Sequence, residues 1–362
     1  MIDYALRQQR LLEAVTTDAF IAVNLEGSDP VSLRYLTGFT GEGALILCPT
    51  DALLLTDSRY AEQANRETDG IQIEQGRAWN VKGLFEGLTK RNFKTITFSS
   101  ARASVYWYEE LSKLGRLELN PQRDPIAQLR RVKSDQELSY LRIAAKIADD
   151  ALSDLVPWIK TGMTEAEIAL QLEMLIRRSD AEGLAFDINV STGPNTALNH
   201  YSPFYHPAAL KSGDLLLFDF GANVHGYRSD MTRTFVVGEA SSKARKIYET
   251  VLKANCLAID AIQAGMTGIT ADAVARDFIT EAEFGENFGH GLGHGIGMEV
   301  HEAPSLSPLS KDTLETGMVV TVEPGIYFTG FGGVRIEDDV VITDTGCEII
   351  TAFPKEELVS VG

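Results

Sequence analysis

Short apolar runs alternate with helical periodicity through the first third of the chain. Residues 19–24, 43–48, 53–56 and 95–99 have the length and aliphatic content of buried strands. Residues 4–15, 59–66, 81–90 and 104–113 carry the spacing of amphipathic helices. That alternation predicts an α/β domain. A proline-containing stretch, 120–125, then leads into RRVKSDQE, where Ser134 and Glu137 form a capping box, each satisfying a free amide at a helix start. Apolar residues at 138, 141, 145, 148, 152 and 155 follow at the i, i+3/i+4 spacing of a buried helix face. A second domain is therefore expected to begin near residue 125, dividing the chain into 1–124 and 125–362.

The second domain contains an internal repeat. A helix ending at Ile159 is followed by Gly162-Met163-Thr164, and another ending at Ile262 by Gly265-Met266-Thr267. Further on, SGDLLLFDFG (212–221) parallels TGMVVTVEPG (316–325), which sets Asp219 opposite Glu323. Arg228-Ser-Asp230 can be laid against Arg335-Ile-Glu337, and His200 and His301 each precede the first carboxylate of their half by about 20 residues. Helix, turn, histidine, strand acid and return-strand acid recur in one order, so the domain is expected to be a pseudo-twofold pair.

Composition narrows the function. The chain has 362 residues, with 33 Lys and Arg against 51 Asp and Glu, for a net charge of −18. Such an acidic surface repels phosphate backbones and anionic lipid, which argues against nucleic-acid or membrane partners. No apolar run approaches the ~20 residues of a bilayer span. The start, MIDYALRQQRLLEAV, reads as an amphipathic helix without the apolar core of a signal peptide. The three scattered cysteines, Cys48, Cys256 and Cys347, suggest reduced packing residues of a cytoplasmic protein.

The candidate chemistry lies in the repeat. Asp219 interrupts the apolar strand LLLFDF and Glu323 interrupts MVVTVEPG. A carboxylate in a buried strand is costly unless it is paired or bound to metal; the alternative is a strand end where the acid reaches water. Asp230 follows Asp219 after a turn at Gly226, and Glu337 follows Glu323 after GFGG, so two hairpins would bring four carboxylates onto neighbouring strands. His294, in FGHGLGHGIGMEVHEAP, is the fifth candidate. The alternating glycines there let backbone approach a ligand closely, although a flexible loop is the simpler reading. Their spacing does not match a dinucleotide fingerprint. Two divalent cations would balance four carboxylates. This oxygen-rich set suits Mn²⁺ or Co²⁺, with Zn²⁺ the third choice.

These phrases resemble the creatinase-like metallopeptidases of the pita-bread fold, particularly Xaa-Pro dipeptidase (prolidase) and aminopeptidase P. RYLTGFTGEGALIL and LLTDSRYAEQA resemble the family's amino-terminal domain. STGPNTALNH, LLFDFGANVHGYRSDMTRTF, GHGIGMEVHEAP, VVTVEPGIY and GVRIED resemble its catalytic motifs. The resemblance implies a small α/β domain before a pseudo-twofold catalytic domain. It makes Asp219, Asp230, His294, Glu323 and Glu337 ligands of two metal ions, with Asp230 and Glu337 bridging. His200 and His301 match the family's two active-site histidines outside the ligand set, and Glu323 would also relay a proton. Arg335 would orient carboxylates or substrate, or serve as a structural ion pair. Tyr227, Tyr327 and Phe186 are candidates for a proline pocket, with ordinary aromatic packing the alternative. The substrate would be a short proline-containing peptide and the assembly a homodimer.

Two departures from the family pattern stand out. Asn199 replaces the proline before His200, and Ser305 follows VHEAP where some prolidases carry a carboxylate-binding arginine. His206, His225 and His290 match no catalytic position. The serine at 305 leaves a longer-peptide aminopeptidase as an alternative to a dipeptidase. Because some relatives of this fold lack the metal set, a peptidase-inactive binding homologue is a second alternative, although all five ligand positions are intact here.

Overall fold

The computed structural model describes residues 2–76, 83, 84, 86, 88, 91–113, 115 and 117–362. The chain forms two compact units, Met1–Arg130 and Arg131–Gly362.

The first unit is built on a six-stranded sheet. Its spatial order is Gln72–Gln75, Asp51–Thr56, Gly43–Cys48, Ala19–Asn24, Thr95–Ser99 and Glu118–Gln122. The three strands Ala19–Asn24, Gly43–Cys48 and Asp51–Thr56 pair antiparallel, and the remaining pairs are parallel. The apolar run Gly43–Cys48 is buried along its whole length in the sheet centre. Helices form at Tyr4–Ala14, Ala61–Glu67 and Val105–Ser112, the last capped by the Ser104 side chain. The helix expected over 81–90 falls largely outside the described residues.

Four elements here were not anticipated, the edge strand Gln72–Gln75 among them. Pro30–Thr37 is a helix with Asp29 capping Ser32 N, proline at its first turn and Gly38 in the left-handed region behind it. The 120–125 stretch, expected to be a connector, begins inside the strand Glu118–Gln122, whose Pro121 is tolerated because the strand is at a sheet edge. It then ends in the helix Pro125–Arg130.

The repeat is visible in the second unit bond for bond. Gly162 N donates to Leu210 O at 2.9 Å and Leu210 N to Met163 O at 2.8 Å. In the other copy Gly265 N donates to Leu314 O at 2.8 Å and Leu314 N to Met266 O at 2.9 Å. Gly162 and Gly265 have φ of 90° and 85°, a conformation that favours glycine, and Thr164 and Thr267 cap the following helices. Helices Asp135–Leu155 and Glu165–Arg177 bury their apolar stripes with the first copy's core, and Ser242–Ala261 and Gly268–Glu281 do so in the second. Among the described residues no helix is long and apolar enough to cross a membrane.

Each copy presents an antiparallel strand pair. Leu215–Phe220 lies against Met231–Val237, and Val319–Val322 against Asp338–Thr343. The copies join along Met231–Val237: Glu337 N donates to Thr232 O at 3.1 Å and Thr234 Oγ1 to Arg335 O at 2.9 Å. Gly333 N also donates to Thr196 Oγ1 at 2.7 Å.

Close backbone packing beside these strands gives a test. A Cβ at Gly221 would lie 1.8 Å from the Ser229 carbonyl oxygen, whereas one at Gly346 meets nothing within 4 Å. Gly221→Ala is expected to destabilise by about 2 kcal/mol or more, lowering the thermal midpoint by roughly 5 °C. Gly346→Ala should stay within about 0.5 kcal/mol of the parent. Thermal melts of both variants check the register of this hairpin.

Candidate metal centre

The two hairpins set the acids at strand ends. Asp219 is the penultimate residue of Leu215–Phe220, opposite Thr232. Asp230 immediately precedes Met231–Val237, Glu323 immediately follows Val319–Val322, and Glu337 immediately precedes Asp338–Thr343. His294 is the middle residue of the strand Gly293–Gly295, between Glu302–Leu306 and Val319–Val322.

The glycines around His294 admit close backbone packing as well as the expected ligand approach, since Gly291 and Gly293 line the cavity onto which His294 opens. A Cβ on Gly293 would lie 2.0 Å from Thr321 O, and one on Gly295 would lie 2.4 Å from Ala303 O. They let three backbones close on each other and fix the histidine between them. His294 N donates to Thr321 Oγ1 at 3.1 Å, and Nδ1 lies 3.1 Å from Gly295 O. A carbonyl only accepts, so Nδ1 carries the proton and the lone pair of Nε2 faces the acids. That nitrogen is 3.4 Å from Glu323 Oε1 and 3.9 Å from Asp230 Oδ2.

Asp230, His294 and Glu337 each bring a ligand atom within 4.8 Å of the others'. Asp230 Oδ1 is buried without a hydrogen-bond partner. A converging set of carboxylates and one neutral imidazole, with an orphaned oxygen among them, fits a hard or borderline divalent cation. Asp219 is bound by Arg335, whose Nη2 donates to Asp219 Oδ2 at 2.5 Å. The same guanidinium reaches Tyr327 Oη at 3.1 Å and Thr232 Oγ1 at 2.9 Å, and Thr232 in turn donates to Glu337 Oε2 at 2.6 Å.

Burial dominates the titration of the cluster. It raises the Asp219 carboxyl against the opposing pull of Arg335 and His200, and pushes Glu323 up to about 8 with Asp219 adding to it. Asp230 lies well above the ordinary range through burial and then Glu337, and Glu337 through burial and then Glu323. Burial, then His301, brings His294 down to about 4, which keeps it neutral. Burial also works against the charge of Arg335, but Tyr327, Asp219, Glu337 and Glu323 outweigh it.

All five acid and imidazole candidates line a cavity of about 1020 Å³. His200, His301, Arg335 and Phe186 are on its wall as well. The rings of His294 and His301 are 4.3 Å apart between centroids.

The two tyrosines offered for the proline pocket are placed elsewhere. Tyr227 is buried against Tyr140, and its hydroxyl donates to Glu137 Oε1 at 2.8 Å, because the short strand Tyr227–Arg228 turns that face toward the helix Asp135–Leu155. Tyr327 sits behind the wall, where its hydroxyl accepts from Arg335 and lies 2.9 Å from His290 Nε2. His290 Nδ1 lies 2.8 Å from Gly291 O, so it holds the proton and Nε2 accepts from Tyr327. His290 lines the cavity, and the sequence motifs gave it no role. Asp339 was also missed: it is fully buried, and its Oδ2 accepts from Asp230 N at 3.0 Å. The signal was the acid run EDD leading into the buried strand Asp338–Thr343. Ser305 lines the cavity with its hydroxyl on Ser307 Oγ and its amide on Asp312 Oδ2.

Comparison with known proteins shows the family. Residues 139–344 match the model of metallopeptidase family M24, and residues 7–132 that of the creatinase/prolidase N-terminal domain. An uncharacterised peptidase of Bacillus subtilis (strain 168) is 41% identical over 330 residues, covering 91% of this chain and 93% of its own. The crystal structure of an X-Pro aminopeptidase from Thermotoga maritima MSB8 superposes with a TM-score of 0.91 at 38% identity, over 98% of this chain and 100% of that one. An Xaa-Pro dipeptidase from Bacillus anthracis gives 0.93 at 38%, over 99% and 100%. With its amino-terminal α/β unit, its duplicated catalytic unit of pita-bread fold and its clustered carboxylates, the chain belongs to metallopeptidase family M24.

Proposed function

We propose that the protein is a dinuclear metal-dependent exopeptidase that hydrolyses the bond between an amino-terminal residue and a following proline, as an Xaa-Pro dipeptidase. The observation that carries this reading is the convergence of Asp230, His294 and Glu337, with Asp219 and Glu323 beside them, in a cavity that also presents His200 and His301. Two divalent ions on these five residues, Mn²⁺ or Co²⁺ before Zn²⁺, would polarise the scissile carbonyl and supply a water acidic enough to ionise near neutrality. The chain's own groups do the rest. Glu323 is the residue to accept a proton and return it to the proline nitrogen, which must be protonated to leave. His200 and His301 offer donors to the developing oxyanion. Phe186 provides an apolar surface for the proline ring. Arg335 is committed to Asp219, Thr232 and Tyr327, which supports a role in orienting carboxylates rather than in gripping substrate. A short proline-containing peptide as ligand, a homodimer and a cytoplasmic setting belong to the same reading.

Ser305 favours a second reading of substrate length. A strict dipeptidase recognises the free carboxylate directly after proline, a task suited to the planar fork of a guanidinium. Serine offers one neutral hydroxyl, and here it is engaged with Ser307. The cavity of about 1020 Å³ is also larger than a dipeptide needs. Aminopeptidase activity on longer peptides is thus compatible with the site.

Removing divalent ions should abolish Ala-Pro hydrolysis, and Mn²⁺ or Co²⁺ should restore it; full activity in rigorously metal-free protein would exclude the dinuclear reading. The stripped protein should also lose thermal stability between about pH 6.5 and 8. Over that window the raised carboxyls, Glu323 reaching about 8, hold protons in the folded state that the unfolded chain has released, so stability falls as pH rises. His294 and His290, brought down to about 4 mainly by burial, act in the opposite sense, but only below the ordinary histidine value of ~6.5. Melting curves with chelator, then with Mn²⁺, read the slope and its removal.

His301→Ala should lower kcat/KM by about 100-fold or more while retaining two metals per chain. Asp230→Ala should lose metal as well. Equal depletion of both variants in elemental analysis would overturn the division between ligands and catalytic histidines.

Ala-Pro-Ala should be cleaved within about a thousandfold of Ala-Pro in kcat/KM under identical metal loading, a difference of at most ~4 kcal/mol in transition-state binding. A larger preference for the dipeptide would reveal a carboxylate clamp other than the residue at 305.

A further inference from the structure

His200 and His301 are held in different ways. His301 directly precedes the strand Glu302–Leu306, which is hydrogen-bonded to Gly293–Gly295. His200 lies in an irregular loop between the strand Asn189–Thr192 and Leu210, with only a short 3₁₀ turn at Gly193–Ala197. What organises that loop is one buried carboxylate. Glu165, at the start of the helix Glu165–Arg177, has no exposed surface. Its Oε1 accepts from Thr192 N at 2.7 Å and Asn195 Nδ2 at 3.0 Å. Its Oε2 accepts from the Tyr201 hydroxyl at 2.7 Å and Ala208 N at 2.6 Å.

Those four donors fill the lone-pair sites of a carboxylate. They also span the loop. Thr192 is its entry, Ala208 its exit, and Tyr201 is the residue next to His200. Asn195 Nδ2 lies 3.1 Å from the Tyr201 hydroxyl, which closes the ring of bonds. Burial, then Glu165 itself, raises the Tyr201 phenol, which keeps it a donor. A further bond, from Asn189 Nδ2 to Asn199 O at 3.3 Å, fixes the residue on the other side of His200.

The repeat sharpens the contrast. Thr164-Glu165 corresponds to Thr267-Gly268, and a Cβ at Gly268 would lie 2.1 Å from Ser305 O. The second copy therefore has no room for a side chain at this position, and there strand pairing does the work. At this position an acid is present only in the copy whose histidine is not followed directly by a strand. In the second copy Asp312 Oδ2 accepts from Ser305 N at 2.9 Å, within the strand that follows His301.

We propose that Glu165 is a positioning residue for His200: by binding both ends of the loop and Tyr201 together, it sets the histidine on the cavity wall without lining the cavity itself. The geometry stands alone; the activity readout rests on the Xaa-Pro hydrolysis proposed above.

The test is a double-mutant cycle on Ala-Pro hydrolysis, with hydrogen exchange as a second readout. Glu165→Gln keeps the volume but turns one acceptor into a donor that faces donors. It is expected to lower kcat about 10- to 100-fold with metal content unchanged. In a His200→Ala background the same change should cost no more than about twofold, because its target is gone. Amide exchange in Glu165→Gln should accelerate over residues 192–208 and stay at the parental rate in Val319–Val322. Full additivity in the cycle, loss of metal from Glu165→Gln, or a His200→Ala enzyme as active as the parent beside an impaired Glu165→Gln would each overturn the proposal. Unchanged exchange over 192–208 would overturn it too. If Glu165→Gln does not fold, Tyr201→Phe and Asn195→Ala remove donors one at a time and carry the same cycle. If the parent protein does not cleave Xaa-Pro bonds, the functional reading falls and the exchange measurement alone decides the role of Glu165.

Discussion

Gathering Asp219, Asp230, Glu323 and Glu337 on one cavity wall, with Asp339 behind them, is the constraint to which the rest of the catalytic unit answers. Withdrawing one ionised carboxylate from water is worth several kcal/mol even after relaxation, whereas a typical hydrogen bond returns about 1 kcal/mol. Thr232 on Glu337 and the Asp230 amide on Asp339 therefore cannot balance the cluster. Charge must. The protein contributes one guanidinium, Arg335, directly to Asp219. Burial displaces the carboxyls upward, Asp219 included, and neighbouring acids add to it at Asp230, Glu323 and Glu337; divalent cations are the chemistry that relieves such a cluster.

That demand explains the cross-links around the site. Repelling acids separate unless the backbone beneath them is rigid. Arg335 of the second copy holds Asp219 of the first, Asp339 of the second holds Asp230 of the first, and Thr232 of the first holds Glu337 of the second. Each of these bonds crosses the join between the copies. A second buried network, Asp338 with Arg233 and Lys355, lies next in sequence and balances its own charge, so the Asp338 carboxyl falls below its ordinary value, burial being outweighed by the two cations. Neighbouring aspartates in one strand thus have opposite electrostatic fates, decided by which side of the strand each faces.

Much of this was legible in one dimension because it depends on local rules. An acid inside LLLFDF violates the pattern of a buried strand, and a repeated Gly-Met-Thr marks a repeated turn. The first unit's strands could be read from their aliphatic runs for the same reason. Other features depend on direction and partner, which a string of letters does not carry. Tyr227 and Phe186 look equally suited to a pocket, yet the register of a two-residue strand sends one toward Glu137 and leaves the other on the cavity wall. The glycines near His294 read as room for a ligand; Gly291 and Gly293 do line the cavity, but the tight backbone contacts of Gly293 and Gly295 with neighbouring strands have no sequence signal. The helix Pro30–Thr37 had its signals, an Asp-Pro start and a glycine stop, but it is too short for periodicity to stand out. Glu165 is the least visible of all. It sits in the first turn of a helix, next to the capping pair Thr164 and Glu167, where an acid passes for ordinary end chemistry.

The duplicated architecture has a consequence for the imidazole. Thr192 pairs with Leu216 in the first copy as Gly295 pairs with Val320 in the second, so the strand position of His294 is occupied by Ser191 in the first copy. Ser191 is fully buried, and its hydroxyl has no partner. Two identical chains meeting on a true dyad would have to place the same residue on both sides of the centre, histidine twice or serine twice. Joining the copies in one polypeptide lifts that restriction. The candidate metal cluster keeps a pseudo-twofold frame of carboxylates but a single imidazole, so its two halves are chemically inequivalent, and a peptide bond entering between them would meet a site with a built-in direction.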